Sequence, residues 1–365
     1  MGSPLKKKIY DLDFTDFNDE KKQFDEYESK QINHVYEPYS QAPVDFYEEQ
    51  IKDTIDNDRK LSASHNHRTF NNWVKSVLID KYVTLVKQYY WKVMKKTDPY
   101  NDLDSPTSNH SRERPKNFEM SVLDIACGKG GDFNKWSIAG IRNYVGVDIA
   151  KRGLMDASQR KLKKFKTFAA TLIHEDAGAD PKDFFRHIED HIYFDMVSCQ
   201  FSMHYMFGNE KHARNFLENV SRKLVKNGYF VCSIPDSNVI VKKLREESQT
   251  DGKGRWVAGN TYYSLITDTI DFPKSKGMYG HVYGFFLDGG LVGTKKETSN
   301  KVDIEYVPEH MILLKPFKDL CKEYDLEFVE SENFHDFYAK NISEGNYYTL
   351  FTKKIGFDTK DFSKP

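Results

Sequence analysis

A glycine cluster directly after a short apolar run is the feature that most constrains how this chain can fold. The run SVLDIA at 121–126 has the length and composition of a buried strand, and CGKGGD follows it at 127–132. A helix pattern begins after the cluster, and NYVGVD at 143–148 then reads as a second buried strand. The order strand, glycine turn, helix, strand predicts a β-α-β unit in a parallel sheet.

The alternation of strand and helix patterns continues along the chain. Further strands are predicted at 167–176, 193–201 and 228–235, and further helices at 149–166, 181–190 and 213–224. We therefore expect an α/β fold with a doubly wound, mostly parallel, Rossmann-like sheet and helices on both faces. After Pro308 we expect a helix at 311–324, then two closing strands near Leu326 and at 347–353.

Composition divides the chain into a polar arm and one folded domain. Residues 1–63 are rich in Asp, Glu, Lys, Asn and Tyr, which predicts a flexible arm without its own core, and 64–365 form the domain. The domain begins with an amphipathic helix from His67 to Met94. The polar, proline-containing segment 97–117 predicts a mobile loop, and 247–307 predicts a β-containing insertion on the substrate side.

Charge and cysteine usage exclude several classes of protein. Lys plus Arg (54) nearly balances Asp plus Glu (55), so any contact with a nucleic-acid backbone must be local. The four cysteines form no CxxC pair, and we expect neither a metal site nor a disulfide framework. No apolar run approaches the roughly 20 residues needed to cross a bilayer, and we expect a soluble intracellular protein.

The glycine loop excludes two common nucleotide motifs but fits an adenosine cofactor. A GxGxxG fingerprint needs glycine where Phe133 stands, and a P-loop needs Gly-Lys followed by Ser or Thr. Asp148 ends the second strand, where a carboxylate can accept both ribose hydroxyls, and Asp176 is placed to meet adenine. Asp124 either faces the cofactor's amino group or structures the loop. Although such acids also cap helices, their combination predicts S-adenosylmethionine and leaves the methyl acceptor open.

Six short motifs carry a resemblance to a known family. They are FNNWVKSVLI (70–79), VLDIACGKGGD (122–132), VDIA (147–150), CQFSMHY (199–205), SIPDS (233–237) and VPEH (307–310). In this order they resemble the motif series of eukaryotic and viral mRNA cap guanine-N7 methyltransferases, from about residue 68 onward. The resemblance implies the class I methyltransferase fold and methyl transfer from S-adenosylmethionine to N7 of the cap guanine, with S-adenosylhomocysteine as product and no metal.

The same resemblance implies the residues of the cofactor pocket. They are Lys75, Asp124, Ala126, Gly128, Asp148, Asp176, Gln200 and Tyr205. The family usually carries glycine where this chain has Ala126, so an additional methyl group must be accommodated near the methionine end of the cofactor. We expect tolerance of this change rather than loss of activity.

The resemblance also implies the residues that bind the cap. Guanine and its surroundings are assigned to Asn71, Asn72, His204, Tyr205, Pro235, Tyr283, Phe285, Glu309 and Tyr348, and the triphosphate bridge to Lys129, Lys135 and Arg160. A buried carboxylate such as Glu309 can accept from N1–H and the exocyclic amine of guanine, while aromatic faces stack on the base. The run GLVGTKKETSNK separates Phe285 from Glu309 by more residues than is usual in the family.

No acid-base catalyst is expected for this reaction. N7 of guanine is a hydrogen-bond acceptor with a free lone pair, so it is a nucleophile without losing a proton. We therefore expect His204, Tyr205 and Glu309 to act by positioning, which is worth roughly 7–11 kcal/mol in well-oriented reactions.

Two other functions stay open on the sequence alone. One is a methyltransferase of small molecules, and the other is an inactive RNA-binding subunit on the same scaffold. Taken singly, Lys75 is a typical solvated charge, and Glu309 is a good first-turn residue of a helix. From the family we expect the capped 5′ end of RNA as partner, with other capping enzymes or RNA polymerase II as further candidates. We expect no membrane, and a nuclear location, or a cytoplasmic one for a viral protein.

Overall fold

A computed structural model describes residues 64–97, 119–272, 277–289, 293–298 and 301–355. The predicted arm at 1–63 lies outside these residues, and so does the predicted loop at 97–117 apart from Thr97. The first half of the domain contains α1 (His65–Thr97), β1 (Ser121–Ile125), α2 (Phe133–Ala139), β2 (Asn143–Asp148), α3 (Lys151–Lys164), β3 (Ala169–His174), α4 (Pro181–Phe184), β4 (Phe194–Gln200) and a 3-10 helix (Met203–Gly208).

The second half is richer in strands. Its elements are α5 (Glu210–Ser221), β5 (Leu224–Ser233), α6 (Ser237–Glu247), β6 (Gln249–Thr250), β7 (Trp256–Gly259), β8 (Tyr263–Thr267), β9 (Val282–Leu287), β10 (Thr294–Thr298), β11 (Lys301–Glu305), β12 (Val307–His310), α7 (Leu314–Lys322), α8 (Phe334–Asn341) and α9 (Gly345–Ile355).

Five parallel strands form the central sheet in the order β3-β2-β1-β4-β5. Leu123 at its centre lies opposite Val145 on β2 and Val197 on β4. All five residues of β1 are buried, as expected for a strand covered on both faces. The predicted doubly wound α/β fold is therefore confirmed.

Helices cover both faces of this sheet because successive residues of a strand point to opposite sides. Val122 packs with residues of α1 and α2, including Val83 and Trp136. Leu123, its neighbour, packs on the other side with residues of α5 and α7, including Phe216. The result is a three-layer domain whose core consists of two apolar layers separated by the sheet.

A second, antiparallel sheet follows the first along the chain. Its strand order is β12-β9-β8-β7-β6, and β10 and β11 form a separate two-stranded hairpin. These strands confirm the β-containing insertion expected from the polar turns and aromatic pairs of that segment. The sheet brings β12, which ends the segment, directly beside β9.

The carboxyl-terminal prediction was wrong in one respect. Residues 345–355 form helix α9 and not a closing strand, and the described stretch 323–333 around Leu326 contains no strand. Tyr347, Leu350 and Phe351 recur at helical spacing, and all three pack on the aromatic cluster around Trp73 of α1. The aromatic content of this segment suggested a strand, whereas its period is that of a helix.

Candidate functional site

The strand order of the central sheet reverses between β1 and β4, and this point defines the site. In open α/β sheets, ligands bind beyond the carboxyl ends of the strands at such a reversal. Both strands end in a non-glycine residue with a left-handed backbone, Ala126 (φ 58°) after β1 and Phe201 (φ 60°) after β4. The chain therefore turns sharply away on both sides, which leaves the strand ends accessible.

The glycine loop after β1 provides an open surface for a ligand. A Cβ atom added at Gly128 or Gly131 would meet no atom within 4 Å. Gly130 has a different role: its φ is +65°, and a Cβ atom there would lie 2.3 Å from the Phe133 ring. The loop is thus held against its helix at Gly130 and is free of neighbouring atoms at the two other positions.

Asp148 at the end of β2 is fixed by the backbone around it. Its Oδ2 accepts from the amide of Gly128 at 2.7 Å, and its Oδ1 accepts from the amide of Ala150 at 2.8 Å. A carboxylate at the end of this strand is placed where it can accept the ribose hydroxyls of an adenosine. The open loop and this oriented acceptor together fit S-adenosylmethionine.

A buried network of charges lies beneath the loop. The Asp132 carboxylate forms ion pairs with Lys75 of α1 at 2.9 Å and with Lys135 of α2 at 2.6 Å. Lys135 also donates to Oδ1 of Asn72 at 3.0 Å, so both ammonium groups link α1 to the start of α2. Oδ2 of Asp124 instead accepts from Tyr144 Oη at 2.8 Å and from the Trp136 indole at 3.2 Å. Of the two roles considered for Asp124, these contacts favour structuring the loop.

The two carboxylates of this network have opposite pKa shifts. Burial, and then the neighbouring Asp132 charge, raise the pKa of Asp124 to about 7, although hydrogen bonds from Tyr144 and Trp136 act to lower it. Burial also acts to raise the pKa of Asp132, but Lys75 and Lys135 outweigh it and bring that pKa to about 2. One carboxylate therefore carries the charge of the network, and the other is poised to hold a proton near neutral pH.

Two further predicted cofactor residues have partners within the fold. The Asp176 carboxylate, after β3, lies 2.9 and 3.1 Å from Nε2 of His212 on α5. The Gln200 amide donates to Ser198 Oγ, and its Oε1 accepts from Ser233 Oγ, so this side chain connects the ends of β4 and β5. Contact of either residue with a cofactor stays a prediction.

Glu309 on β12 is the centre of the second cluster at the site. The side chain is 3% exposed and accepts from Tyr283 Oη at 2.5 Å through Oε2. Nε2 of His204 and Oη of Tyr205 both lie 3.5 Å from Oε1. Burial alone would raise the pKa of Glu309, but His204 and the two tyrosine hydroxyls outweigh it, so the pKa lies below its usual value. Glu309 is therefore a buried, ionised acceptor.

Two predicted cap residues carry polar atoms that the described residues leave without a close partner. Both ring nitrogens of His204 are buried without a hydrogen bond, its contact with Glu309 being long, and Oδ1 of Asn71 is also buried and unpartnered. Buried polar groups are normally satisfied, so each of these atoms is a candidate contact for a ligand or an ordered water. The ring centroids of His204 and Tyr205 lie 4.2 Å apart, which adds an aromatic wall.

The three cations predicted to meet the triphosphate do not form one group. Lys129 forms an ion pair with Asp156 at 3.0 Å, and Arg160 donates to the carbonyl of Gly130 at 3.4 Å, both on the outer side of the loop. Lys135 is buried in the Asp132 network, where desolvation lowers its pKa despite the carboxylate. Lys129 and Arg160 are accessible to an anion, whereas Lys135 is not in this arrangement.

The remaining predicted cap residues lie at different distances from the Glu309 cluster. Phe285 is on β9, two residues after Tyr283, and is opposite Val307 of β12. Pro235 is in the short connection between β5 and α6. Tyr348 lies on α9, which packs on α1, and no hydrogen bond between described residues joins it to Glu309. The structure thus groups Tyr283 and Phe285 with Glu309 on one sheet.

Several residues of the site were not anticipated from the sequence. Asp132, which collects both lysines, was included only as part of the loop, and His212 was not considered. A signal existed for His212, because polar residues recur at 212, 215 and 219 beside the apolar face of α5. Among the described residues no group of acidic, histidine or cysteine side chains can hold a metal ion. No described helix is long and apolar enough to cross a membrane.

Comparisons with known proteins identify the family of this chain. The chain matches the family described as the mRNA (guanine-N(7))-methyltransferase domain over residues 106–361. It is 32% identical over 324 residues to mRNA cap guanine-N(7) methyltransferase 1 of Oryza sativa subsp. japonica, covering 85% of this chain and 72% of that protein. The protein of the same name from Arabidopsis thaliana is 30% identical over 326 residues, covering 86% and 73%.

A fungal relative extends the match to more of this chain. The mRNA cap guanine-N(7) methyltransferase of Cryptococcus neoformans is 30% identical over 328 residues, which is 89% of this chain and 43% of that longer protein. The family match and these relatives agree, and the chain belongs to the mRNA (guanine-N7)-methyltransferase family of S-adenosylmethionine-dependent enzymes.

Proposed function

We propose that this protein transfers a methyl group from S-adenosylmethionine to N7 of the guanine in a GpppN cap, by in-line displacement and without a general base. The observation that carries the proposal is the buried, ionised Glu309 beside the opening between β1 and β4. A carboxylate in that state can accept from both N1–H and the exocyclic amine of guanine. Adenine lacks this pair of neighbouring donors, so the site selects guanine.

The residues of the chain act by orientation. The cofactor, when bound, supplies a methyl group carried on a positively charged sulfur. Because N7 already has a free lone pair, His204, Tyr205 and Glu309 need only hold the base in line with that methyl group. Nδ1 of His204, whose Nε2 faces Glu309, and the unpartnered oxygen of Asn71 are the proposed hydrogen-bonding atoms for the cap nucleoside.

Electrostatics add to orientation, because positive charge passes to guanine during the transfer. Glu309 is almost fully buried, and a charge interacts more strongly in a buried site than it would in solvent. Tyr283, at 2.5 Å, holds the carboxylate in place before the substrate arrives. The acceptor is thus oriented in advance and does not have to reorganise as charge develops.

For the cofactor we propose the pocket formed by the glycine loop, with Asp148 on the ribose hydroxyls and Asp176 on the adenine. Gly128 and Ala126 would lie along the methionine part, with Lys75, Gln200 and Tyr205 at its borders. Lys129 and Arg160 are the accessible cations for the triphosphate. We also propose that no metal takes part and that S-adenosylhomocysteine is the product.

The decisive experiment is methyl transfer from labelled S-adenosylmethionine to GpppA-capped RNA, with uncapped RNA of the same sequence as control. Nuclease digestion then locates the label. We expect it at N7 of the cap guanine and nowhere in the uncapped RNA. Label on internal nucleotides, or transfer to free guanosine at the same rate as to the cap, would contradict the proposal. Cofactor binding without any transfer would indicate an inactive RNA-binding subunit instead.

The cellular setting is a proposal that rests on the relatives, which are eukaryotic capping enzymes. We propose that the protein acts on nuclear transcripts together with other capping enzymes or RNA polymerase II. Immunoprecipitation of the full chain from cells, followed by probing for RNA polymerase II, tests this association. Recovery of the chain only from cytoplasmic fractions would argue against it.

A further inference from the structure

We infer that His212 is a positioning residue for the adenine of the cofactor, acting through Asp176, and that one polar face of α5 sets the loop after β3. The inference rests on the proposed function in one respect, the placing of Asp176 at adenine. It adds a residue outside the loop motifs, on a helix that the cofactor itself is not expected to touch.

Three side chains on one face of α5 hold this loop. His212 Nε2 lies 2.9 and 3.1 Å from the two carboxylate oxygens of Asp176. One turn later, Asn215 Nδ2 donates to the carbonyl of Gly178 at 3.0 Å. Asn219 Nδ2 then donates to two loop carbonyls, those of residues 177 and 179, both at 3.0 Å. Positions three and four residues apart share a helix face, so these contacts form one continuous row.

Hydrogen bonds hold the row at both ends. Asn219 is completely buried, and its amide replaces solvent for two backbone carbonyls. At the other end, the amide of His212 donates to Oδ1 of Asn209, which caps the helix, at 2.7 Å. The His212 ring lies so close to the loop that a Cβ atom on Gly178 would be 2.0 Å from its Cδ2. The absence of a side chain at Gly178 is therefore what allows the histidine to reach Asp176.

His212 fixes which part of the Asp176 carboxylate faces outward. One oxygen also accepts from the amide of Gly178 at 2.9 Å, so backbone and histidine occupy the inner acceptor positions. About a third of the Asp176 side chain stays exposed, with 34% of its surface accessible. Burial acts to raise the pKa of Asp176, but His212 and Gly178 outweigh it and the pKa is lowered. The acceptor positions of Asp176 that face outward therefore carry negative charge, which suits the exocyclic amine of adenine.

The first test measures binding of S-adenosylhomocysteine by calorimetry to the full chain. We expect His212→Ala to weaken binding about tenfold, because a misplaced Asp176 would lose its hydrogen bond, as a charged acceptor, to the adenine amine. His212→Gln, which keeps a nitrogen donor, should restore binding to within about threefold. His191→Ala removes an exposed histidine elsewhere and is the matched control, with binding unchanged. At saturating cofactor, kcat and the KM for capped RNA should change less than twofold in all three variants.

The second test asks whether His212 acts on the adenine amine. S-inosylhomocysteine carries an oxygen in place of that amine, so it should bind the wild-type protein more weakly than S-adenosylhomocysteine. We expect both His212→Ala and Asp176→Asn to reduce this preference. If His212→Ala weakens the two ligands equally, or lowers the thermal midpoint and raises the KM for RNA as well, the histidine is only structural and the inference is overturned.

The inference about His212 and the proposed function fail in distinguishable ways. Calorimetry with either ligand requires no RNA, so it can support the role of His212 even if the cap is not the methyl acceptor. Conversely, normal cap methylation together with unchanged cofactor binding in His212→Ala would overturn the inference and leave the proposed function intact.

Discussion

Replacing Glu309 by glutamine tests the proposed recognition of guanine most directly. The change is isosteric and leaves one oxygen, which can still accept from Tyr283, now 2.5 Å from Oε2. The other oxygen becomes an NH₂ group, so one donor of guanine meets a second donor. Loss of a hydrogen bond to a charged group costs about 1.5–3 kcal/mol, which corresponds to roughly 10- to 150-fold. We expect kcat/KM for GpppA-capped RNA to fall by about that factor.

The assay is single-turnover methyl transfer to capped RNA, combined with calorimetry for S-adenosylhomocysteine. Glu309 meets the proposed cofactor pocket only at Tyr205, through a long contact of 3.5 Å that the glutamine NH₂ can replace by donating to the hydroxyl. Cofactor affinity should therefore change less than twofold. Glu327→Gln, at an exposed glutamate, is the matched control. The reasoning is refuted if cofactor affinity falls in parallel with kcat/KM, or if kcat/KM stays within threefold of the wild type.

Three further substitutions, at Ala126, Asp124 and Gly178, test the folding contacts around the site. Ala126→Val places a β-branched residue at φ 58° and should cost about 2 kcal/mol of unfolding free energy in thermal denaturation, whereas Ala126→Gly should change it by less than about 1 kcal/mol. Because the Asp124 pKa is raised to about 7 in the native state, the native protein keeps this proton while the unfolded chain loses it, and stability falls as pH rises from about 4 to 7. Asp124→Asn should therefore gain stability over the wild type across that window, by up to about 4 kcal/mol. A difference that does not change with pH would contradict this. Gly178→Ala should cost about 1–3 kcal/mol by overpacking against His212, and less than half of that in a His212→Ala background, measured by urea denaturation.

The central sheet was predictable because its signal is local. Each buried parallel strand is a short apolar run, and the observed β2 matches its predicted limits of 143–148. The glycine loop and Asp148 were predictable because each lies at the end of a predicted strand. Strand ends in a parallel sheet share one edge. The carboxyl-terminal helix α9 was missed, because aromatic residues occur in strands and helices alike and only their period distinguishes the two.

The contacts within the site depend on tertiary packing and could not be derived in the same way. Lys75 and Lys135 are distant in sequence and converge on Asp132 only because α1 packs beside α2. His212 reaches Asp176 only because α5 packs on the sheet next to the loop after β3. Motif order named the residues proposed to contact the ligands, but it contained no information on the side chains that hold those residues in place.

The pairing of β9 with β12 has a consequence for how this protein tolerates changes in length. Glu309 lies directly opposite Tyr283 across the ladder, so their positions are set by backbone hydrogen bonds between adjacent strands. The hairpin of β10 and β11, between those two strands in sequence, pairs only with itself. Residues can be added to or removed from the hairpin without shifting the ladder. An engineer could attach a peptide tag or a fluorescent reporter there, and evolution could vary its length, while the proposed guanine site stays unchanged.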